Sequence, residues 1–286
     1  FMIAIPKRIY MVGIGGIGMS GLAQLLVARG LAVSGSDREE SPTTMLLQKK
    51  GIRVFIGHDP LFVPVDTELL VYSDAVPAES PERMRAHELG IKQVSYFEML
   101  GEISKGSRTI AVAGTHGKTT VTGMLAAILQ KAGKGPTAIV GSIVRDFDSN
   151  FLPGRNDLFV VEACEYRDHL LELSPEILVI TNIELDHTDF FPSLVALKST
   201  FSQAVRRVPE KGVIITNTHD PNVAAVLDKS QAEIFDYTIE EVPKLDLIGE
   251  FNAANARAAK CAAKAAFPDI PDEVIDAALK EFKGAW

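Results

Sequence analysis

The chain has 286 residues, 47% hydrophobic and 23% charged, which is room for two domains and excludes a disordered or collagen-like chain. Its 37 acidic residues against 29 basic ones leave a formal net charge of −8. That is the wrong sign for a bulk polyanion binder, so nucleic acid is not an expected partner, while a small anion held at a local site is compatible.

Arg8–Ile14 reads as a buried strand, followed by Gly15-Gly16-Ile17-Gly18 and a helical run to about Gly30. Leu31–Gly35 is a second strand, ending at Ser36-Asp37. A helix near Thr43–Lys50, strands Arg53–Ile56 and Leu69–Tyr72, a helix near Pro81–Leu89 and a strand Gln93–Ser95 follow. Lys105-Gly106-Ser107 reads as a linker, with domains expected over 1–106 and 107–286. The second series has strands at Thr109–Ala113, Leu158–Glu162, Ile177–Thr181, Gly212–Thr216 and Glu233–Tyr237. Its helices are Thr119–Ala132, the alanine-rich Asn252–Phe267 and about Asp272–Phe282. Alternating strands and helices predict an α/β fold with doubly wound parallel sheets.

Cys164 and Cys261 form neither a disulfide framework nor a zinc motif. No apolar run approaches the ~18 residues of a membrane span. Residues 1–7 are too short and broken for a signal peptide, and Phe1 ahead of Met2 is expected to be a cloning remnant. A cytoplasmic chain without membrane insertion is the expectation. Oligomeric state is unread.

Five motifs can carry chemistry. Gly13-Ile14-Gly15-Gly16-Ile17-Gly18 fits G-x-G-x-x-G between a strand and a helix, with Asp37 ending the next strand. Such a loop lets a pyrophosphate approach the backbone at a helix N-terminus; the plain alternative is a tight turn without a ligand. Gly114-Thr115-His116-Gly117-Lys118-Thr119-Thr120 is a phosphate-loop variant, with Val112 where the strict form has its first glycine. Its amides suit phosphates, Lys118 suits the β/γ charge and the Thr119 hydroxyl suits Mg²⁺. Glu162 ends an apolar strand, where it is a metal ligand or an edge charge. Cys164 beside it reads as a packed residue without a base partner.

Thr181–Asp189 brings an amide, carboxylates and His187 to another strand end. His187 is there a metal ligand, a proton shuttle or a hydrogen-bonded structural histidine. Asn252 and Asn255 open the alanine-rich helix, where Asn252 caps the helix or an amide reads an adenine edge.

Together and in this order these motifs resemble the Mur ligase family of ATP-dependent amide-forming enzymes. The resemblance covers nearly the whole chain. It implies a Rossmann-like domain that binds UDP-N-acetylmuramate through Gly15, Gly16, Ile17 and Gly18, with Ser36, Asp37 and Ser73 near the nucleotide. It implies a second domain that binds ATP through Gly114–Thr120. There Lys118 would contact the β/γ-phosphates, and Thr119, Glu162 and His187 would hold Mg²⁺. Asn252 and Asn255 would lie near the base. In the family's chemistry a substrate carboxylate attacks the γ-phosphate, and the resulting acyl phosphate is taken by an amine.

The Gly13–Ala23 stretch points to the member that joins L-alanine to UDP-N-acetylmuramate. The tripeptide-recycling member and a non-catalytic nucleotide-binding module are the alternatives. A dinucleotide-dependent oxidoreductase would have no use for Gly114–Thr119. Phe251 stands where the family usually has histidine, Asp168 sits one place late, and Lys198 does not match the family's carbamylated lysine. The family's third domain and its arginine-containing linker are not recognised, so the chain is expected to be a fragment that binds nucleotide and is poor or inactive as a ligase.

Overall fold

A computed structural model describes residues 5–285. The expectation on Phe1 and the end at Trp286 lie outside the described residues. The chain divides into two compact units, Phe1–Ile103 and Ser104–Trp286.

The first unit runs β1 (Arg8–Val12), α1 (Ile17–Ala28), β2 (Ala32–Asp37), α2 (Pro42–Lys49), β3 (Arg53–Ile56), β4 (Leu69–Tyr72), α3 (Pro81–Glu88), β5 (Lys92–Ser95) and α4 (Tyr96–Lys105), within which the division falls. Its five parallel strands stand in the order β3-β2-β1-β4-β5. The central β1 is apolar and fully buried from Ile9 to Val12, as a strand covered on both faces must be. Order reverses direction between β1 and β4. The loops after these two strands therefore open a crevice at their carboxyl ends, where α/β sheets take ligands.

The second unit runs β6 (Arg108–Ala113), α5 (Lys118–Lys131), β7 (Thr137–Val144), β8 (Ser149–Leu152), β9 (Leu158–Glu162), β10 (Ile177–Ile180), α6 (Leu194–Arg207), β11 (Val213–Thr216), α7 (Pro221–Leu227), β12 (Glu233–Asp236), α8 (Glu250–Ala266) and α9 (Asp272–Glu281). The order is β12-β11-β10-β6-β9-β7-β8, parallel except for the antiparallel β7–β8 pair. β6 thus lies between β9 and β10, which brings three loops to one sheet edge. Alanines 256, 259 and 263 let α8 approach α5 and the sheet closely, in a core closed by Ile275, Leu279 and Phe282.

Both sheets confirm the expected α/β class. Several elements go beyond those the sequence pattern predicts. The β7–β8 hairpin escapes because Gly141-Ser142 interrupts its apolar run. In α6 the signal is present, since Leu197, Thr200, Phe201, Ala204 and Val205 form one buried stripe behind a Ser193 cap. α4 and α7 are likewise helices, α7 capped by Asp220.

Candidate functional site

In the first unit, the glycine loop is folded against the end of β2. The Gly13 and Ile14 amides donate to the Ser36 carbonyl, at 2.8 and 3.1 Å. The Gly15 amide donates to Asp37 Oδ2 at 2.7 Å. Gly13 has φ +77°, and a Cβ there would lie 3.0 Å from the Ser73 Cβ, so the loops after β1 and β4 meet at this residue. Gly16 precedes α1 and brings no capping side chain, so the positive end of the α1 dipole stands at this loop.

Gly15–Gly18, Asp37 and Ser73 are therefore gathered at one sheet edge. Ser36 is placed differently. Its side chain is fully buried and donates to Glu82 Oε1 at 3.0 Å, which His58 Nδ1 also meets at 3.1 Å. The Ser36 hydroxyl faces inward, and its carbonyl shapes the loop.

Gly18 has a packing reason of its own, because a Cβ there would sit 2.7 Å from Tyr96 Cζ and 2.8 Å from its hydroxyl oxygen. Gly18→Ala is expected to destabilise the first unit by about 1–3 kcal/mol in denaturant unfolding, with most of that loss recovered in Gly18→Ala/Tyr96→Ala. An additive double mutant would show that the two positions do not press on each other.

In the second unit, the loop between β6 and α5 is stitched to the end of β10. The Thr115 amide donates to the Asn182 carbonyl (3.1 Å) and the His116 amide to Asn182 Oδ1 (2.9 Å). The Thr181 hydroxyl and the Asn182 amide both donate to the His116 carbonyl, at 2.6 and 3.1 Å. Thr115 Oγ1 donates to the Glu184 carbonyl and accepts from its amide, each at 2.9 Å. Two loop amides are thus committed inside the protein. The donors left for an anion are the first-turn amides of α5, whose N-cap Gly117 (φ +85°) brings no capping side chain.

Lys118 curls back over this loop. Its Nζ donates to the Gly114 carbonyl at 2.5 Å, to the Thr115 carbonyl at 3.2 Å and to Glu165 Oε1 at 3.2 Å. Thr119 Oγ1 donates to Glu162 Oε2 at 2.9 Å, and the Gly141 amide of β7 donates to the same oxygen at 2.9 Å. Burial pushes the Glu162 carboxyl above the usual carboxylate range, against the opposing pull of Thr119, Lys118 and the Gly141 amide. His187 stands at φ +52° with its Nε2 3.6 Å from Glu165 Oε1, and its ring lies 4.9 Å from that of Tyr166, whose hydroxyl donates to Asp189 at 2.7 Å.

A cavity of about 430 Å³ adjoins the loop, lined among others by His116, Gly117, Thr120, Tyr237, Phe251 and Asn255. Asn252 does not cap α8. The cap is Gly249, and the Asn252 amide reaches back to the Ile248 carbonyl at 2.8 Å. Asn255 Nδ2 donates to Asn252 Oδ1 at 3.5 Å, and Asn255 Oδ1 faces the α-carbon of Gly117.

Lys118, Thr119, Glu162 and His187 are thus brought together, and Asn255 lies across the cavity mouth. Asp168, by contrast, serves structure, accepting from Thr200 Oγ1 of α6 at 2.5 Å. Glu165 and Gly141 join the site beyond the residues that the sequence motifs point to. Glu165 carried a signal as the second carboxylate of Glu162-Ala163-Cys164-Glu165, whereas Gly141 carried none, since its contact is across strands.

Cys164 is inert by environment. Burial first, with the Glu165 charge second, pushes its thiol up to about 11, and burial raises Cys261 to about 12. At pH 7 such thiols are about one part in ten thousand thiolate or less, so iodoacetamide is expected to leave Cys164 and Cys261 unmodified in the folded protein over an hour. Rapid alkylation of Cys164 would contradict this environment.

Comparison with known proteins bears on the family of the chain. Residues 8–108 match the family model "Mur ligase family, catalytic domain" and residues 112–244 the "Mur ligase middle domain". The UDP-N-acetylmuramate–L-alanine ligase of Caldicellulosiruptor bescii is 34% identical over 98% of this chain and 67% of its own length. The chain belongs to the Mur ligase family.

Among Mur ligases, the L-alanine ligases of Caldicellulosiruptor saccharolyticus and Aquifex aeolicus are 43% and 41% identical over 77% and 82% of this chain. The chain spans about half the length of these two relatives, 48% and 51%. The solved Neisseria meningitides UDP-N-acetylmuramate:L-alanyl-gamma-D-glutamyl-meso-diaminopimelate ligase superposes with a TM-score of 0.87 at 29% identity, covering 99% of this chain and 100% of that one. The Thermotoga maritima UDP-N-acetylmuramate–alanine ligase gives 0.84 at 28%, covering 97% and 69%. No helix among the described residues is long and apolar enough to cross a membrane.

Proposed function

We propose that this Mur ligase chain is the UDP-sugar-binding and ATP-binding part of a cytoplasmic enzyme that joins L-alanine to UDP-N-acetylmuramate in peptidoglycan precursor synthesis. The observation that carries the reading is the Thr119–Glu162 hydrogen bond beside Lys118. It places a hydroxyl, a carboxylate and an ammonium around the N-terminus of α5. Curated L-alanine ligases at 34–43% identity support the choice of substrate. The 0.87 superposition on the Neisseria enzyme keeps the tripeptide ligase as the second reading.

The roles follow from charge. A substrate carboxylate must approach a triphosphate, and two anions meet only where positive charge is fixed beforehand. The first-turn amides of α5 and the Lys118 ammonium supply that at the β/γ-phosphates. The cavity under Phe251 and Asn255 takes the adenosine, with the Asn255 amide near the base edge. In the first unit the α1 N-terminus takes the UDP diphosphate, with Asp37 holding the Gly15 turn in shape and Ser73 beside it.

The donor set fits Mg²⁺. Thr119 Oγ1 and the Glu162 carboxylate are hard oxygens at a sheet edge, with His187 3.6 Å from the neighbouring Glu165. Among the described residues no three His, Cys, Asp or Glu side chains are grouped closely enough to hold a metal by themselves. That suits an ion which keeps waters and shares substrate phosphates. When bound, such an ion neutralises phosphate oxygens.

The test is product formation by the protein from UDP-N-acetylmuramate, Mg-ATP and either L-alanine or the tripeptide, together with calorimetric binding of UDP-N-acetylmuramate and Mg-ADP. Binding of both nucleotides is expected of this chain, and a product from L-alanine is expected of the whole enzyme of which it is part, since the chain by itself is expected to be poor or inactive as a ligase. A product from the tripeptide alone would establish the second reading, and no binding of either nucleotide by folded protein would end both.

Phe251 is 68% exposed at the cavity rim. Stacking on an adenine there predicts that Phe251→Ala weakens Mg-ADP about five- to tenfold in calorimetry, and an unchanged affinity would remove Phe251 from the base site.

A further inference from the structure

Glu165 is an unexpected group to find beside a triphosphate site. Its side chain is fully buried, and both oxygens face the Lys118 ammonium, Oε1 at 3.2 Å and Oε2 at 3.1 Å. Oε2 has no hydrogen-bond partner of its own. His187 Nε2 lies 3.6 Å from Glu165 Oε1, and the Glu165 charge also bears on Glu162. The three protons of Lys118 go to Gly114 O, Thr115 O and Glu165, so the amine has no donor left for a phosphate.

We propose that Glu165 is a latch on Lys118. It parks the ammonium against the loop until a phosphate arrives with a divalent cation, and so makes nucleotide binding depend on the metal. This rests on the nucleotide-site reading above. A phosphate alone must take Lys118 from a buried carboxylate and then lie beside that uncompensated charge, which is costly where water is excluded. A phosphate carrying its cation brings the positive charge that replaces Lys118 beside Glu165. Glu165 is on this account a positioning residue that acts through Lys118.

The experiment is calorimetric titration of the chain with ADP in EDTA and with Mg-ADP, for the native protein, Glu165→Gln, Glu165→Asp, Lys118→Met and Lys118→Met/Glu165→Gln. Glutamine keeps the size and one acceptor while removing the charge. It is expected to tighten metal-free ADP about tenfold and to change Mg-ADP by less than about threefold, which erodes the metal dependence. Aspartate, drawn back by one methylene, is expected to give part of that gain and serves if the glutamine variant does not fold.

In the Lys118→Met background the gain is expected to shrink to a small part, because there is no ammonium to release and only the repulsion by the Glu165 charge is relieved. A role limited to holding the fold would weaken both titrations together. Metal-free affinity unchanged or weakened in Glu165→Gln overturns the latch, as does a gain that is just as large without Lys118, which would reflect charge repulsion alone. Failure of the native chain to bind Mg-ADP would instead remove the nucleotide site itself, and the latch with it.

Discussion

Lys118→Ala is expected to weaken Mg-ADP binding at least about a hundredfold while leaving UDP-N-acetylmuramate affinity within about twofold. The loss combines the charge-assisted bonds of the ammonium to phosphate with its Coulomb attraction for the β/γ charge. Sparing of the UDP sugar follows from the proposed placing of its site in the other compact unit, at the α1 N-terminus. The same substitution leaves Glu165 buried without its counter-ion, and a buried pair broken on one side costs about 3–5 kcal/mol. Lys118→Ala should therefore lower the unfolding midpoint of the second unit, and Lys118→Ala/Glu165→Gln should restore most of it. Equal loss of both ligands in a folded sample would contradict the assignment of two separate sites.

Gly114→Ala is the second large effect. Gly114 has φ +128°, a region essentially reserved for glycine, and a Cβ there would lie 3.0 Å from the Asn182 carbonyl oxygen and 3.0 Å from the Thr181 nitrogen, besides overlapping Thr181 Oγ1. Two of these neighbours are backbone atoms of the β10 edge and cannot turn aside. Strain and overlap together are expected to cost about 3 kcal/mol or more, and to displace the loop that carries Lys118. Denaturant unfolding with a Mg-ADP titration checks both. A variant with native stability and native affinity would show that the loop does not need the close approach between Gly114 and Thr181.

What was legible in the sequence was local. The turn glycines, the lysine and the threonine of Gly114–Thr119 sit between a strand and a helix, so spacing alone places them at a sheet edge. Glu162 is legible because it ends an apolar strand. The sheet order then does what spacing cannot. It sets β9 and β10 on either side of β6, which puts Glu162, Asn182 and His187 around one loop.

The less legible features are products of that packing. Gly141 reads as an interruption in an apolar run, and its role is visible only once its amide meets Glu162 across strands. Ser36 has the right position for a nucleotide contact, yet its hydroxyl turns to the buried Glu82. Asn252 has the composition of a helix cap, but Gly249 starts the helix three residues earlier. Glu165 is visible only as one more acidic residue until its burial beside Lys118 is known. Its neighbours Arg167 and Asp168 take left-handed backbone at φ +51° and +61°, which no sequence pattern there announces.

The central claim is one phosphate-binding helix terminus in each unit, for two different nucleotides. Its most direct test is calorimetric titration of the native chain with UDP-N-acetylmuramate, and then of the saturated complex with Mg-ADP. One molecule of each ligand per chain, bound without competition, is the predicted result. Competition for a single site, or binding of only one of the two by folded protein, would contradict it.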